Sequence, residues 1–344
     1  MNSEKSERSL RVKVIDPLIC LGFLGLLCFF FLELKEQLDL KSIKWGFGFL
    51  KQEAGFPISE SLPLPEWILQ LQGSWNWISY DSAHTFLGAL VTGLMNTLKV
   101  GVLSCFFAIG LGFLMAGLGF LYPKYFKWIL SEWIANVRSV PLLVHLVVWY
   151  VMLINVLPSV SQSWVMGDFL FLNRRGLFLP WVEQMFPLQL DFPRLVFGGR
   201  NLEGGMSVSP ELVAMVLGLG TYSSVFASEI LRSGLEGVAK GQLEAGFSLH
   251  FDPFQILRYV VFPQALRFAV GPMASLIGSI LKNSSLGIVI GYPDLIHVGG
   301  TVINQTGQAL EVVFLWLVVF LVLNSCITIF FRLFQQRFLG GKPQ

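Results

Sequence analysis

Charge is scarce in this chain. Asp, Glu, Lys and Arg make up 13% of its 344 residues, about half the share of an ordinary soluble domain. Cysteine is scarce as well. Cys20, Cys28, Cys105 and Cys326 all lie in apolar runs, and none forms a CxxC pair. They read as small buried hydrophobes, which speaks against a disulfide framework and against a zinc site. The four histidines, His84, His145, His250 and His297, stand far apart, and no HExxH occurs. There is no GxxxxGK[ST] loop to cradle a phosphate and no Gly-x-Ser-x-Gly turn to present a nucleophile. No pair of Asp, or of Ser and His, stands out for intramembrane proteolysis. An enzyme is therefore a poor reading, no metal site is expected, and no cofactor is implied. The formal net charge is +2. Scattered basic residues of that kind leave no footprint for nucleic acid.

Apolar residues are abundant. They make up 54% of the chain, and 31 residues are Phe. They gather in runs too long for core helices, so lipid is the solvent for much of the chain. The first run covers about residues 14–34. Lys5, Arg8, Arg11 and Lys13 precede it, as in a signal peptide. No small-x-small cleavage site follows, so it reads as a retained signal-anchor helix. The second run is Val100 to Pro123. The third, Ser139 to Gly167, is interrupted by Pro158, which puts its span at 137–158. The fourth is Leu212 to Ser228, the fifth about 266–290, and the sixth Val312 to Phe331. At ~1.5 Å per residue each crosses a hydrocarbon core of ~30 Å. Backbone groups in lipid must be paired within the segment, so the spans are helices. The fold class is an all-α membrane protein with about six transmembrane helices.

Lys and Arg set the orientation. With the N-terminus inside, the inner segments hold thirteen of them and the outer segments seven, in much longer loops. This favours an N-in, C-in arrangement. Arg138 then lies at the inner interface. Lys99 lies at the outer one, where its stem can snorkel. Trp45, Trp67, Trp75 and Trp77 read as interfacial anchors. Residues 159–210 carry Pro, Gly and Asn turn signals and are too broken to span.

The segment between the fourth and fifth spans is the informative one. It reads as two short amphipathic helices joined at His250–Asp252. Asp252 can cap the second helix, and Pro253 fits its first position. Such a helix-turn-helix can protrude as a knob and fit a groove on a cytoplasmic partner, with Glu244 and Arg258 as rim charges. Alternatively it lies on the bilayer as an interfacial helix.

This spacing resembles the EAA loop of ABC importer permeases, E-A-A-x3-G-x9-I-x-L-P. Glu244, Ala245 and Pro263 match. Gly246 replaces the second Ala, and Val260 and Phe262 replace Ile and Leu. His250 stands where the turn Gly is expected; that turn favours positive φ, which His tolerates better than most residues. Residues 137–144 (VRSVPLLV), 227–234 (ASEILRSG) and 281–286 (LKNSSL) resemble motifs of the polar amino-acid permeases of the histidine/glutamine type. Residues 171–180 (FLNRRGLFLP) and 290–295 (IGYPDL) resemble the general L-amino-acid subgroup, many of whose members carry two more spans than this chain.

The resemblance implies a type I ABC importer permease in a bacterial inner membrane. It implies partners: two cytoplasmic ABC ATPase subunits, a second homologous permease chain and a periplasmic amino-acid-binding protein. Expected regions are a tail and first helix over 1–35, a periplasmic segment over 36–84, the permease domain over 85–335 and a tail over 336–344. Inside the domain, 159–210 is a periplasmic insertion and 236–263 a cytoplasmic coupling loop. Glu244, Ala245, Gly246, His250, Asp252, Arg258 and Pro263 are its candidate coupling residues. Candidate path or gate residues are Arg138, Tyr222, Glu229, Lys282, Asn283, Ser284 and Ser285. Glu229 and Arg232, three apart, form either an interfacial ion pair or part of an inner gate. Pro141 bends the start of the third span. Tyr222 faces the path or simply packs. Lys282 attracts a substrate carboxylate, with its Asn and Ser neighbours as donors, or snorkels to the headgroups. A secondary transporter or channel working without an ATPase is the other class. It requires a mid-depth ionisable relay and internal repeats, and the sequence has neither.

Overall fold

The computed structural model describes residues 46–62, 64–65, 77–167, 169–184, 189–196 and 201–338, with Phe29 and Glu33 alone before them. The chain falls into two compact units, Met1–Phe49 and Leu50–Gln344. In the first, Phe29 and Glu33 are helical. The rest of the expected first span lies outside the described residues, as do Cys20, Cys28, Trp45, Trp67 and Trp75.

The second unit is built on helices. Helix α1, Phe86–Leu121, has 36 residues. Thr85 caps it: its Oγ1 accepts the Gly88 N–H at 3.1 Å. The apolar run predicts a span from Val100, yet the helix starts at Phe86. Its first turns are covered by protein rather than lipid, with Phe86, Ala89, Leu90, Asn96 and Thr97 all buried. Helix α2, Pro123–Ser139, and helix α3, Leu142–Val156, meet at an angle of 98°. Pro141 excludes Val140 from the helical region, and Val140 is extended at φ −98°, ψ 127°. The expected bend is therefore present. The expected span over 137–158 begins instead at Leu142, and the preceding residues belong to a separate helix.

Within 164–208, the short antiparallel strands β1 (Trp164–Met166), β2 (Leu170–Asn173), β3 (Gly176–Leu179) and β4 (Met206–Val208) make one sheet in the order β4-β3-β2-β1. Arg174 and Arg175 form the two-residue turn between β2 and β3, where the Asn173 Oδ1 accepts the Arg175 N–H at 2.8 Å.

Helix α4, Pro210–Glu236, follows. Ser209 caps it and Pro210 opens it, as N-terminal chemistry dictates. Helix α5, Lys240–Ser248, leads to the turn at His250. A helical turn at Pro253–Gln255, a π-helical turn at Ile256–Val261 and helix α6, Phe262–Asn283, then run on as one segment. A 3-10 segment, Ser284–Ile290, is closed by Gly291 at φ +81°. Helices α7, Leu295–Thr306, and α8, Ala309–Phe338, complete the unit.

Among the described residues four helices are long and apolar enough to cross a membrane, and five spans result if α2 and α3 count as one. Helix α4 is the axis. It packs against α1, α3 and α6, and 61% of its most apolar window is buried, against 6% for α8. Helix α8 is thus a lipid-facing outrigger. Cys326 on it is exposed and Cys105 half-buried, so neither is the fully buried hydrophobe expected from its run. Lipid receives a small apolar thiol as readily as a protein core does.

Two cores flank the axis. Near one end, Leu231 and Leu235 of α4 pack with Ile256, Leu257 and Val261. Near the other, Val100, Leu146, Met215, Leu219 and Tyr292 pack together. Small residues set the spacing between helices. A Cβ on Gly112 would stand 2.6 Å from the Ala227 Cβ and 2.9 Å from both the Ser224 carbonyl and the Ser228 nitrogen.

Candidate functional site

The first site is the hook over residues 240–263. Helix α5 ends because His250 turns the chain at φ +60°, the only non-glycine residue with positive φ among those described. The N–H groups of Leu249 and Phe251 close the helix on Ala245 O at 3.1 Å and Gly246 O at 3.2 Å. Asp252 restarts it with a reciprocal cap. Its Oδ1 accepts the Gln255 N–H at 2.9 Å, and the Gln255 Oε1 accepts the Asp252 N–H at 3.0 Å. Gly246 is buried because Ile256 lies on it; an added Cβ would meet Ile256 Cγ1 at 3.0 Å. Alanine, the residue of the motif, would press on that contact.

Pro263 shapes the root of the hook. It has no N–H, and its ring would crowd the Tyr259 carbonyl in a regular helix. The chain widens instead into a π-turn, with the Phe262 N–H bonded to Leu257 O. The Gln264 amide donates to Val260 O at 2.9 Å. The root residues Ile256, Leu257 and Val261 are buried, while Phe247, Leu249, Phe254 and Tyr259 are exposed on the tip. Glu244, Ala245, Asp252 and Arg258 are exposed with them. Arg258 lies over the Tyr259 ring, 5.6 Å from its centre.

His250→Gly is expected to leave the hook intact and to stabilise it by about 0.5–1 kcal/mol, because glycine bears positive φ without strain. Thermal unfolding of the variant checks this. A loss of stability would mean that the imidazole makes a contact of its own.

The second site joins α2 to α4. Arg138 grips Glu229 with both ends of its guanidinium: Nη1 donates to Oε1 at 2.9 Å, and Nη2 donates to Oε2. Arg138 also lies 4.9 Å from the centre of the Phe226 ring. The expected pairing of Glu229 with Arg232 is not formed. Arg232 donates instead to Glu236, four residues on, at 3.1 Å. The bend at Pro141 brings a planar fork onto the carboxylate, a better match than a neighbour on the same helix can make. Tyr222, Phe226 and Glu229 share one face of α4. Tyr222 packs edge-on to His145, with ring centres 5.6 Å apart. Beside the pair opens a cavity of about 570 Å³, whose polar lining includes Lys127, Ser131, Arg138, Glu229, Arg232 and Glu236.

Lys282, Asn283, Ser284 and Ser285 are not brought to this cavity. Lys282 and Asn283 end α6, and Ser284 and Ser285 open the 3-10 segment that follows, far from the hook. Lys282 is exposed. The Ser284 and Ser285 hydroxyls donate at 2.8 Å to the carbonyls of Leu281 and Lys282.

The end of the bundle away from the hook holds a polar network that the sequence did not flag. Glu60 is buried there. Its carboxylate pairs with Lys99 and accepts the Ser209 Oγ–H at 2.5 Å. Lys99 is therefore held by a counter-ion inside protein and does not snorkel as expected. The Asn96 amide donates to Glu60 O at 2.7 Å and to Pro293 O at 2.9 Å. The Tyr292 hydroxyl donates to Asn96 O at 3.2 Å, and the Leu295 N–H to the Thr97 Oγ1 at 3.0 Å. Its only sequence signal was a set of polar residues at the edge of an apolar run.

Apolar helices packed around α4, with a capped hook at one end and a locked polar network at the other, build a membrane-embedded bundle. Residues 108–340 match the family model described as the binding-protein-dependent transport system inner membrane component. The chain is 33% identical to the general L-amino acid transport system permease protein AapQ of Rhizobium johnstonii, over 85% of this chain and 83% of that one. It is 30% identical to the putative amino-acid ABC transporter permease protein YhdX of Escherichia coli, over 96% and 94%. Among solved structures, an amino acid ABC transporter crystallised with histidines superposes with a TM-score of 0.52 at 24% identity, covering 72% of this chain and 94% of that one. The inward-facing MetNI methionine ABC transporter gives 0.51 at 19%, covering 72% and 95%. The protein belongs to the family of inner membrane components of binding-protein-dependent transport systems. Its fold is that of the type I importer permeases, and members of this class work with an ATPase and a substrate-binding protein.

Proposed function

We propose that this chain forms half of the translocation path of an ATP-driven amino-acid importer, beside a second homologous permease chain. The named relatives support amino acids as the substrate class. In this reading both termini lie in the cytoplasm and the hook at 236–263 faces the ATPase. Residues 36–84 and 159–210 lie in the periplasm, within reach of an amino-acid-binding protein. Residues 1–35 form the tail and first helix, and 336–344 a cytoplasmic tail.

One observation carries the coupling role. The tip of the hook exposes Phe247, Leu249, Phe254 and Tyr259, while its root is buried against Leu231 and Leu235 of α4. An apolar tip seated in an ATPase groove is a helix-in-groove contact. Its rigid root passes displacement to α4 and α6. Binding at the tip must differ between the inward and outward states, or nothing moves. The Arg138–Glu229 clamp joins α2 to the same axis and lines the cavity, so it serves as a gate on the path, with Tyr222 packing above it. Lys282 to Ser285 sit at the opposite depth. There Lys282 is placed to meet a substrate carboxylate at the entrance, with Asn283 beside it and the two serines shaping the end of α6.

Glu244→Lys tests the docking role. The side chain is exposed, and its carboxylate forms no ion pair among the described residues, so the fold tolerates reversal of charge. Co-purification of the ATPase with the variant is expected to fall several-fold, with uptake falling in proportion. Unchanged association and uptake would remove Glu244 from the interface.

A further inference from the structure

The network at the far end has more acceptors than donors. Asn96 is fully buried. Its side-chain nitrogen serves two backbone carbonyls, those of Glu60 and Pro293. Only the NH2 group can do that, so the orientation of the amide is fixed and Oδ1 is left as an acceptor. It has no hydrogen-bond partner among the described residues. Asp294 is fully buried too. Its Oδ1 caps α7 and accepts the His297 N–H at 2.8 Å. Its Oδ2 has no partner among the described residues.

The two acceptors belong to one clasp. Asn96 holds the carbonyl of Pro293, the residue before Asp294. Thr97 holds the N–H of Leu295, the residue after it. One turn earlier on α1, a Cβ on Gly93 would stand 3.1 Å from the Asp294 carbonyl. One face of α1 thus grips residues 293–295 from both sides. A buried acceptor left unmet is destabilising, and a buried charge left unmet is more so.

The charged and titratable groups around the clasp are otherwise engaged. Lys99 on α1 is held by Glu60 from the segment before that helix. The Tyr292 hydroxyl donates to Asn96 O, and the His297 Nδ1 faces Tyr292 O at 3.0 Å. Helix α8 contributes the Trp316 Nε1, which donates to Leu295 O at 3.2 Å, and carries the buried Glu311 in its first turn.

We propose that Asp294 is a proton-binding site: Oδ2 carries a proton in the folded importer and donates it to the Asn96 Oδ1. One proton then satisfies one acceptor and removes the charge from the other. The inference does not depend on the transport reading above. Burial supports it by raising the Asp294 carboxyl from its ordinary 3.8 to about 7, against the pull of the Ile296 and His297 N–H groups. The sign follows from proton uptake. The folded state holds this proton more tightly than the unfolded chain, so its stabilisation is complete below about pH 4 and is lost as pH rises through about 7. Loss of the proton leaves a carboxylate oxygen and an amide oxygen without donors, and the clasp on residues 293–295 loosens. Tyr292, which fills the core beside it, loses support. The pH on that side of the membrane then sets how firmly the far end of the bundle is held.

Infrared spectra of the purified importer complex test this at about pH 5 and about pH 9, two units either side of neutrality. The carbonyl stretch of a protonated carboxyl is expected at the lower pH and lost at the higher. It should shift when aspartate is labelled with 13C at the side-chain carboxyl, and vanish in Asp294→Asn. That variant keeps the cap and supplies its own N–H donor. Its thermal midpoint is expected to change with pH several degrees less than that of the parent. Should the variant fail to assemble, aspartate is labelled in this chain alone before the complex is reconstituted, because Asp294 is the only buried aspartate among the described residues of this chain. Absence of the band at the lower pH, its indifference to aspartate labelling, or its persistence in Asp294→Asn would overturn the proposal.

Discussion

Gly112→Leu is expected to abolish recovery of the assembled subunit. The first added carbon already stands 2.6 Å from the Ala227 Cβ and 2.9 Å from two backbone atoms of α4. A flexible side chain could give way; backbone on a buried helix cannot. Overpacking by one or two methylenes costs about 1–3 kcal/mol, and leucine adds four carbons where there is room for none. The seam between α1 and α4 also seats the root of the hook, so separating the helices disturbs every later contact. The control lies on the same helix. Gly110 and Gly117 have nothing within 4 Å of an added Cβ, and leucine there gains helix propensity of about 0.8 kcal/mol. Gly110→Leu is therefore expected to assemble normally. The yield of monodisperse complex measures both. Equal loss from the two variants would show that close helix approach is not the cause.

Glu60→Leu is expected to destabilise the complex by about 3–5 kcal/mol, the usual consequence of leaving one member of a buried ion pair behind. Side-chain exposure is 15% for Lys99 and 7% for Glu60, so water does little to solvate the orphaned ammonium. Ser209 also loses the acceptor of its hydroxyl at the start of α4. Replacing both partners, Glu60→Leu with Lys99→Met, should recover most of the loss, because the charge and its counter-charge leave together. Thermal unfolding of the single and double variants measures the coupling. A single variant that costs under about 1 kcal/mol would behave as an exposed pair does, and the account of this network would fail.

What could be read from the sequence was local. The hook was legible because its signals lie next to one another: Asp252 caps, Pro253 opens the next turn, and His250 stands where positive φ is needed. The bend at Pro141 was legible for the same reason. Chemistry between distant segments was not. Arg232 is three residues from Glu229 and looks like its partner, yet Arg138 holds it from 91 residues away. Lys99 looked free to snorkel because its counter-ion lies 39 residues earlier, in a segment with no periodicity to place it. The start of α1 was missed because hydropathy finds lipid and cannot find a helix whose first turns are sheathed in protein. The strands at 164–208 were missed because runs of three or four residues give no readable alternation.

The length of α1 has a further consequence. Thirty-six residues make a rod of about 54 Å, whereas about 20 residues suffice to cross the hydrocarbon. The charge-free stretch from Val100 onward fills that requirement, so Phe86 to Lys99 must stand clear of it. This stub is a pillar of roughly 20 Å, and Glu60 and Asp294 are masonry set against it. A visitor arriving from that side meets a raised protein rim before it meets any headgroup.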